Sequence, residues 1–190
     1  MTLSYTTLLL FLIWRIYWRL TEVKADREKE KTKEKIEFID NIQNIANLGV
    51  FLLLGAQLFG LSLLPFSSHM ALLERGGFGL VCIGFIICIF ARISLGTNWA
   101  NSYEFQIKEN HELVTHGIYQ YIRHPIYIGL FFMLVGGELV VQSYLVFVYM
   151  CILGGMYWQG RREEVLLKNH FGKTYYDYMK RSKMFIPFVW

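Results

Sequence analysis

Residues 111 to 127 read HELVTHGIYQYIRHPIY, so three histidines, three tyrosines and an arginine crowd the entrance to an apolar stretch beginning at Ile126. Arg123, His124, Pro125 and Tyr127 stand at its centre. Proline at a first helical position sacrifices no needed donor and presets the backbone, and the free N–H groups of a helix start accept anions or carboxylates. A second polar group, Arg161, Arg162, Glu163 and Glu164, follows the next apolar run. An excess of basic residues at a membrane face explains two adjacent carboxylates poorly. One of them could hold an amino group or offset a cationic ligand. Each set also has a plainer explanation: a snorkelling arginine beside an interfacial tyrosine at the first, and solvated or lipid-anchoring charges at the second.

Metal chemistry is not expected. His111, His116, His124 and His170 show no helical zinc spacing. Cys82, Cys88 and Cys151 lie inside apolar stretches, match no zinc or haem pattern, and read as small packing residues.

The elements that must carry these groups belong in a bilayer. The chain of 190 residues is 54% hydrophobic and 17% aromatic with three prolines. That is too apolar for a soluble domain. A spanning helix needs roughly 20 mostly apolar residues. The pattern predicts an all-α polytopic membrane protein with five transmembrane helices, at about 3–20, 41–64, 77–95, 126–141 and 143–159. The first stretch lacks a basic region before it and a small-residue cleavage site after it, and is read as retained. Lys/Arg counts near the span ends set orientation. Arg15, Arg19 and the charged arm at 21–37, with six basic and six acidic residues, lie after the first span. The tail carries Arg161, Arg162, Lys168, Lys173, Lys180, Arg181 and Lys183. Both are expected to be cytoplasmic, which places the N-terminus outside. The net charge of +4 then needs no nucleic-acid partner; anionic lipid headgroups are the expected company.

Spans four and five are expected to form a tight antiparallel hairpin. Counted from a turn near residue 141, Tyr127 and Glu163 differ in depth by roughly 12 Å, at about 1.5 Å per residue. Glu138 beside the turn reads as a solvated residue or an outer-leaflet contact. Gly49, Gly55, Gly60, Gly76, Gly77, Gly79 and Gly84 suggest close helix approach in a scaffold of spans two and three. After residue 160, Leu167, Phe171, Tyr175 and Tyr178 follow helical spacing, which predicts an amphipathic cytoplasmic helix broken near Gly172. Its aromatic face either rests on headgroups or caps the hairpin's mouth. The expected division is a three-span scaffold at 1–95 and a catalytic region at 96–190.

Taken in order, HELV, GIY and RHPIY, then EE, FG and the Tyr175/Tyr178 pair beyond the hairpin resemble the isoprenylcysteine carboxyl methyltransferase and phospholipid methyltransferase superfamily, over about residues 95–187. The earlier residues are similar only in being spans. The resemblance implies an integral-membrane, multi-pass enzyme that takes S-adenosylmethionine from the cytoplasm and a lipophilic or lipidated acceptor from the membrane. It implies that the methyl donor contacts Gln106, His111, Glu112, Leu113, Val114, Tyr119, His124, Pro125, Ile126 and Tyr127, with Glu163 on the methionine amino group. The carboxyl methyltransferases carry an Arg where this chain has Gln159. Arg162, three residues on and close to the same helical face, is the candidate to replace it. The expected acceptor group is a carboxylate. A phospholipid or other lipophilic amine is the first alternative, followed by a membrane reductase of sterol-reductase type and a non-catalytic scaffold.

Overall fold

The computed structural model describes residues 2–26, 37–96 and 112–187. Among these the architecture is all-helical: α1 Thr2–Asp26, α2 Glu37–Leu58, α3 Ala71–Leu95, a short 3₁₀ turn Gly117–Gln120, α4 Pro125–Val141, α5 Val146–Phe171 and α6 Lys173–Arg181. Much of the charged arm lies outside the described residues, as do Gln106 and His111. The expected amphipathic helix does not begin after residue 160, because α5 runs unbroken to Phe171. The break falls at Gly172, whose φ is 53°. That value lies in the left-handed region, where a side chain is disfavoured.

Among the described residues α3 is the one helix long and apolar enough by composition to cross a bilayer, while Leu48–Leu58 and Pro125–Val141 are shorter apolar helices. Arginines interrupt α1, and charges fill the last third of α5. Yet the outer faces stay greasy: Leu9, Leu12 and Ile16 on α1, Ile83, Ile86 and Phe90 on α3, and Phe147 and Val148 on α5 are all exposed. So much contiguous apolar surface suits lipid, not water.

The scaffold and the hairpin meet through glycines. A Cβ built on Gly77 would lie 2.7 Å from the Gly136 carbonyl oxygen, and one on Gly129 would lie 2.8 Å from that of Gly84. The backbones of α3 and α4 therefore touch at two levels, as small residues allow where lipid removes the hydrophobic drive to associate. Gly49, Gly55, Gly60, Gly76 and Gly79 meet nothing within 4 Å, so of the glycines singled out in the sequence Gly77 and Gly84 make the close approach, and they make it to α4.

The hairpin turns on Gln142, which adopts the left-handed conformation at φ 57°. Its side chain accepts from Met70 N at 2.9 Å, and Ser143 Oγ donates to the Leu63 carbonyl at 2.9 Å. The loop after α2 thus clasps the hairpin tip. Glu138 is not a solvated turn residue: it is fully buried and accepts a hydrogen bond from Gln57 Nε2 at 2.8 Å. Residue Gln57 comes from α2, whose packing over the hairpin removes Glu138 from solvent.

Gly136→Ala is expected to destabilise the protein by about 1–3 kcal/mol through overpacking, read as a lower thermal midpoint in detergent. Gly154→Ala, whose new methyl meets nothing within 4 Å inside α5, should leave the midpoint unchanged or raise it slightly. Equal effects would contradict the close α3–α4 contact.

Candidate active site

The roots of the hairpin build the site. Tyr127 lies in the first turn of α4 and Glu163 in the far half of α5. Measured back to the helix ends that face the turn, Val141 and Val146, their depths differ by about 4.5 Å in rise. The mismatch is smaller than the sequence suggests because the turn occupies residues between the helices instead of a point near 141. The side chains bridge what is left: Tyr127 Oη donates directly to Glu163 Oε1. His124, the residue before α4, stacks on the Tyr127 ring with centroids 5.4 Å apart and places Nδ1 3.4 Å from Glu163 Oε2.

Beneath these lies a buried ion pair. Arg123 Nε donates to Glu164 Oε1 at 2.6 Å; the side chains are 9% and 0% exposed. The same guanidinium donates through Nη1 to the Ser182 carbonyl at 2.6 Å. Backbone bonds from Arg123 N to Lys183 O at 2.8 Å and from His124 N to Met184 O at 3.1 Å bind the tail beside this segment. Tyr178 Oη donates to the Tyr119 carbonyl at 2.6 Å. Buried Tyr175 and Tyr178 turn inward, so α6 caps the hairpin's mouth with the aromatic face the sequence left free to do either job.

Burial pushes the Glu164 carboxyl up, but hydrogen bonds and charge from His124 and Arg123 outweigh it and hold the group at about 2. Burial likewise pushes the His124 imidazole down, and the contacts with Glu163 and Glu164 overcome that and raise it above its ordinary 6.5. His124 Nε2 lies 3.6 Å from Glu164 Oε1, beyond hydrogen-bond range, so that contact is an electrostatic attraction. Burial also raises the Tyr178 phenol to about 12, which keeps it a neutral donor.

A cavity of about 140 Å³ opens among Leu95, Glu112, Leu113, Val114, Tyr119, Arg123, His124, Ile126, Tyr127, Glu163, Leu167, Tyr175 and Tyr178. It gathers Glu112, Leu113, Val114, Tyr119, His124, Ile126, Tyr127 and Glu163 from the residues singled out in the sequence. Pro125 opens α4 and is buried outside that lining. Arg123, Leu167, Tyr175 and Tyr178 were not assigned there, although the spacing of the last three already pointed to one helix face.

A second, larger groove of about 1090 Å³ runs between α1, α2, α4 and α5, lined largely by Leu, Phe, Val and Trp side chains. Gln159 faces this groove. Ile126 and Tyr127 line both spaces, so the polar cavity and the greasy groove adjoin. Arg162 lies over the exposed Trp158 ring, 4.7 Å from its centroid, and lines neither.

Such a fold, a helical membrane bundle with a polar cavity between hairpin roots, has known counterparts. The phospholipid methyltransferase family profile matches residues 73–174, more than half of the chain. The chain belongs to this family. It is 30% identical over 127 residues to the protein-S-isoprenylcysteine O-methyltransferase of Mus musculus, covering 66% of this chain and 45% of that protein. The enzyme of the same name from Tribolium castaneum is 29% identical over 116 residues, covering 56% and 41%. This chain thus spans less than half the length of these two relatives. The solved structure of the eukaryotic intramembrane Ras methyltransferase ICMT superposes with a TM-score of 0.61 over 90% of this chain and 61% of that one, at 22% identity. That likeness shows the fold, and it extends well beyond the region whose motifs carry the resemblance.

Stability should fall at both ends of the pH scale. The depressed Glu164 contributes fully above the ordinary carboxylate value of 4.5, and its contribution is lost as pH falls through about 2. The raised His124 contributes fully below 6.5 and loses its effect as pH rises through its folded-state value. The gap in thermal midpoint between wild type and His124→Asn is therefore expected to narrow from about pH 6 to about pH 9. A constant gap would mean that folding leaves the proton affinity of His124 unchanged.

Proposed function

We propose that this chain is a multi-pass membrane methyltransferase that uses S-adenosylmethionine from the cytoplasmic face and methylates the carboxylate of a lipophilic acceptor. The observation that carries the reading is the junction at Ile126 and Tyr127 of a polar cavity and an apolar groove. A water-soluble donor and a lipid-soluble acceptor need such adjoining compartments. The names of the isoprenylcysteine relatives support a lipidated cysteine carboxylate as the acceptor.

The residues present suit the donor. Glu163 offers a carboxylate for an ammonium group, and Tyr127 and His124 fix its orientation. Leu113 and Val114 lie along one wall, and tyrosine rings line the cavity, where their faces favour a cation. Bound there, S-adenosylmethionine supplies its methyl to the carboxylate oxygen as the S–CH₃ bond breaks, the electron pair staying on sulfur. The protein's part is alignment and exclusion of water. A carboxylate acceptor is already the nucleophile, so this site needs no general base.

One feature favours methylation of a lipophilic amine as the second reading: Gln159 is neutral where the carboxyl methyltransferases carry Arg. Turnover of labelled S-adenosylmethionine with a prenylcysteine acid or with phosphatidylethanolamine separates the two. Titration calorimetry with S-adenosylhomocysteine tests the donor site. Glu163→Ala should weaken binding by about 1.5–3 kcal/mol, the scale of a lost charged hydrogen bond. Unchanged affinity would remove Glu163 from the site, and no binding by folded wild type would discard the reading.

A further inference from the structure

Arg15 is the one charged side chain among the described residues lining the greasy groove. Its depth follows from its neighbours. Trp18 packs against the Arg92 guanidinium, 5.6 Å from ring centroid to Cζ, and Thr21 Oγ1 accepts from Arg92 Nε at 3.0 Å. One turn earlier on both helices, Trp14 lies against Cys88, whose Sγ donates to the Ile126 carbonyl at 3.7 Å. Arg15, next to Trp14, therefore stands near the level of Ile126. That residue is where the groove meets the polar cavity. Gln159 lines the same groove from α5, while Arg162 is turned onto Trp158.

Among the described residues, the carboxylates at the hairpin roots are engaged elsewhere: Glu163 with Tyr127, and Glu164 with Arg123. We propose that Arg15 binds the acceptor's carboxylate, standing in from α1 for the cation that Gln159 does not supply. This rests on the acid-acceptor reading above. A chain seated in the groove would bring its acid head to the junction, where one guanidinium gives two parallel donors to two oxygens. Arg15 is then a specificity determinant for an anionic head on an apolar tail.

Binding of N-acetyl-S-farnesylcysteine and of its carboxamide, alike in shape but uncharged, is measured in non-ionic detergent without methyl donor. Wild type should prefer the acid by about 10- to 100-fold, the range of one charge-assisted contact. Arg15→Ala should abolish that preference while leaving S-adenosylhomocysteine affinity and thermal midpoint unchanged. Adding Gln159→Arg to Arg15→Ala should restore it. If wild type methylates the acid and Arg15→Ala keeps the acid preference, Arg15 is only a headgroup anchor and the proposal falls alone. If wild type binds S-adenosylhomocysteine but neither binds nor methylates the acid, the acid-acceptor reading fails and takes the proposal with it. Methylation of phosphatidylethanolamine in that case would identify an amine as the acceptor group.

Discussion

A guanidinium held between two helices away from water must be satisfied on every side or the surrounding structure opens to solvate it. Arg123 meets that demand with a carboxylate from α5 and a carbonyl from the tail. One side chain therefore joins three stretches distant in sequence: the loop entering α4, the far end of α5, and the segment after α6. The site is arranged around it. His124 and Tyr127 come from the same helix start as Arg123, and Glu163 precedes Glu164, so fixing the ion pair brings the functional side chains into contact. Tyr175 and Tyr178 follow because the tail is held at Ser182 and Lys183.

The other constraint is the glycine contact between α3 and α4. Backbone against backbone at Gly77/Gly136 and Gly84/Gly129 makes α4 part of a rigid pair. The residues at its entrance are thus set by the scaffold as well as by the hairpin. On the opposite side α1 and α2 stand off far enough to leave the greasy groove, with Tyr127 as its boundary to the polar cavity. The proposed reaction between a soluble and a lipid-borne partner would use that separation.

Much of this was readable in the chain. Pro125 and the polar run before it mark the start of α4, and the short break near Gln142 marks the hairpin. Gly172 marks the kink that lets α6 fold inward. The ordered motifs from His111 to Tyr178 identified the family that the later comparison established. What could not be read were pairings across long separations. Arg123 looked like an interfacial arginine because its partner lies 41 residues away. Glu138 looked solvated because the Gln57 that covers it lies 81 residues earlier. The role proposed for Arg15 was hidden for the same reason, since an arginine beside Trp14 at a membrane boundary has a sufficient local explanation. The greasy groove has no motif at all, being lined by ordinary apolar residues from four helices.

Comparing the thermal midpoints of Arg123→Leu, Glu164→Leu and the double variant tests the central ion pair most directly. Each single change strands one buried charge and should cost about 3–5 kcal/mol, whereas removing both leaves neither charge of the pair stranded and should regain much of the loss. Single losses that simply add in the double variant would contradict a direct buried pair between the two hairpin roots.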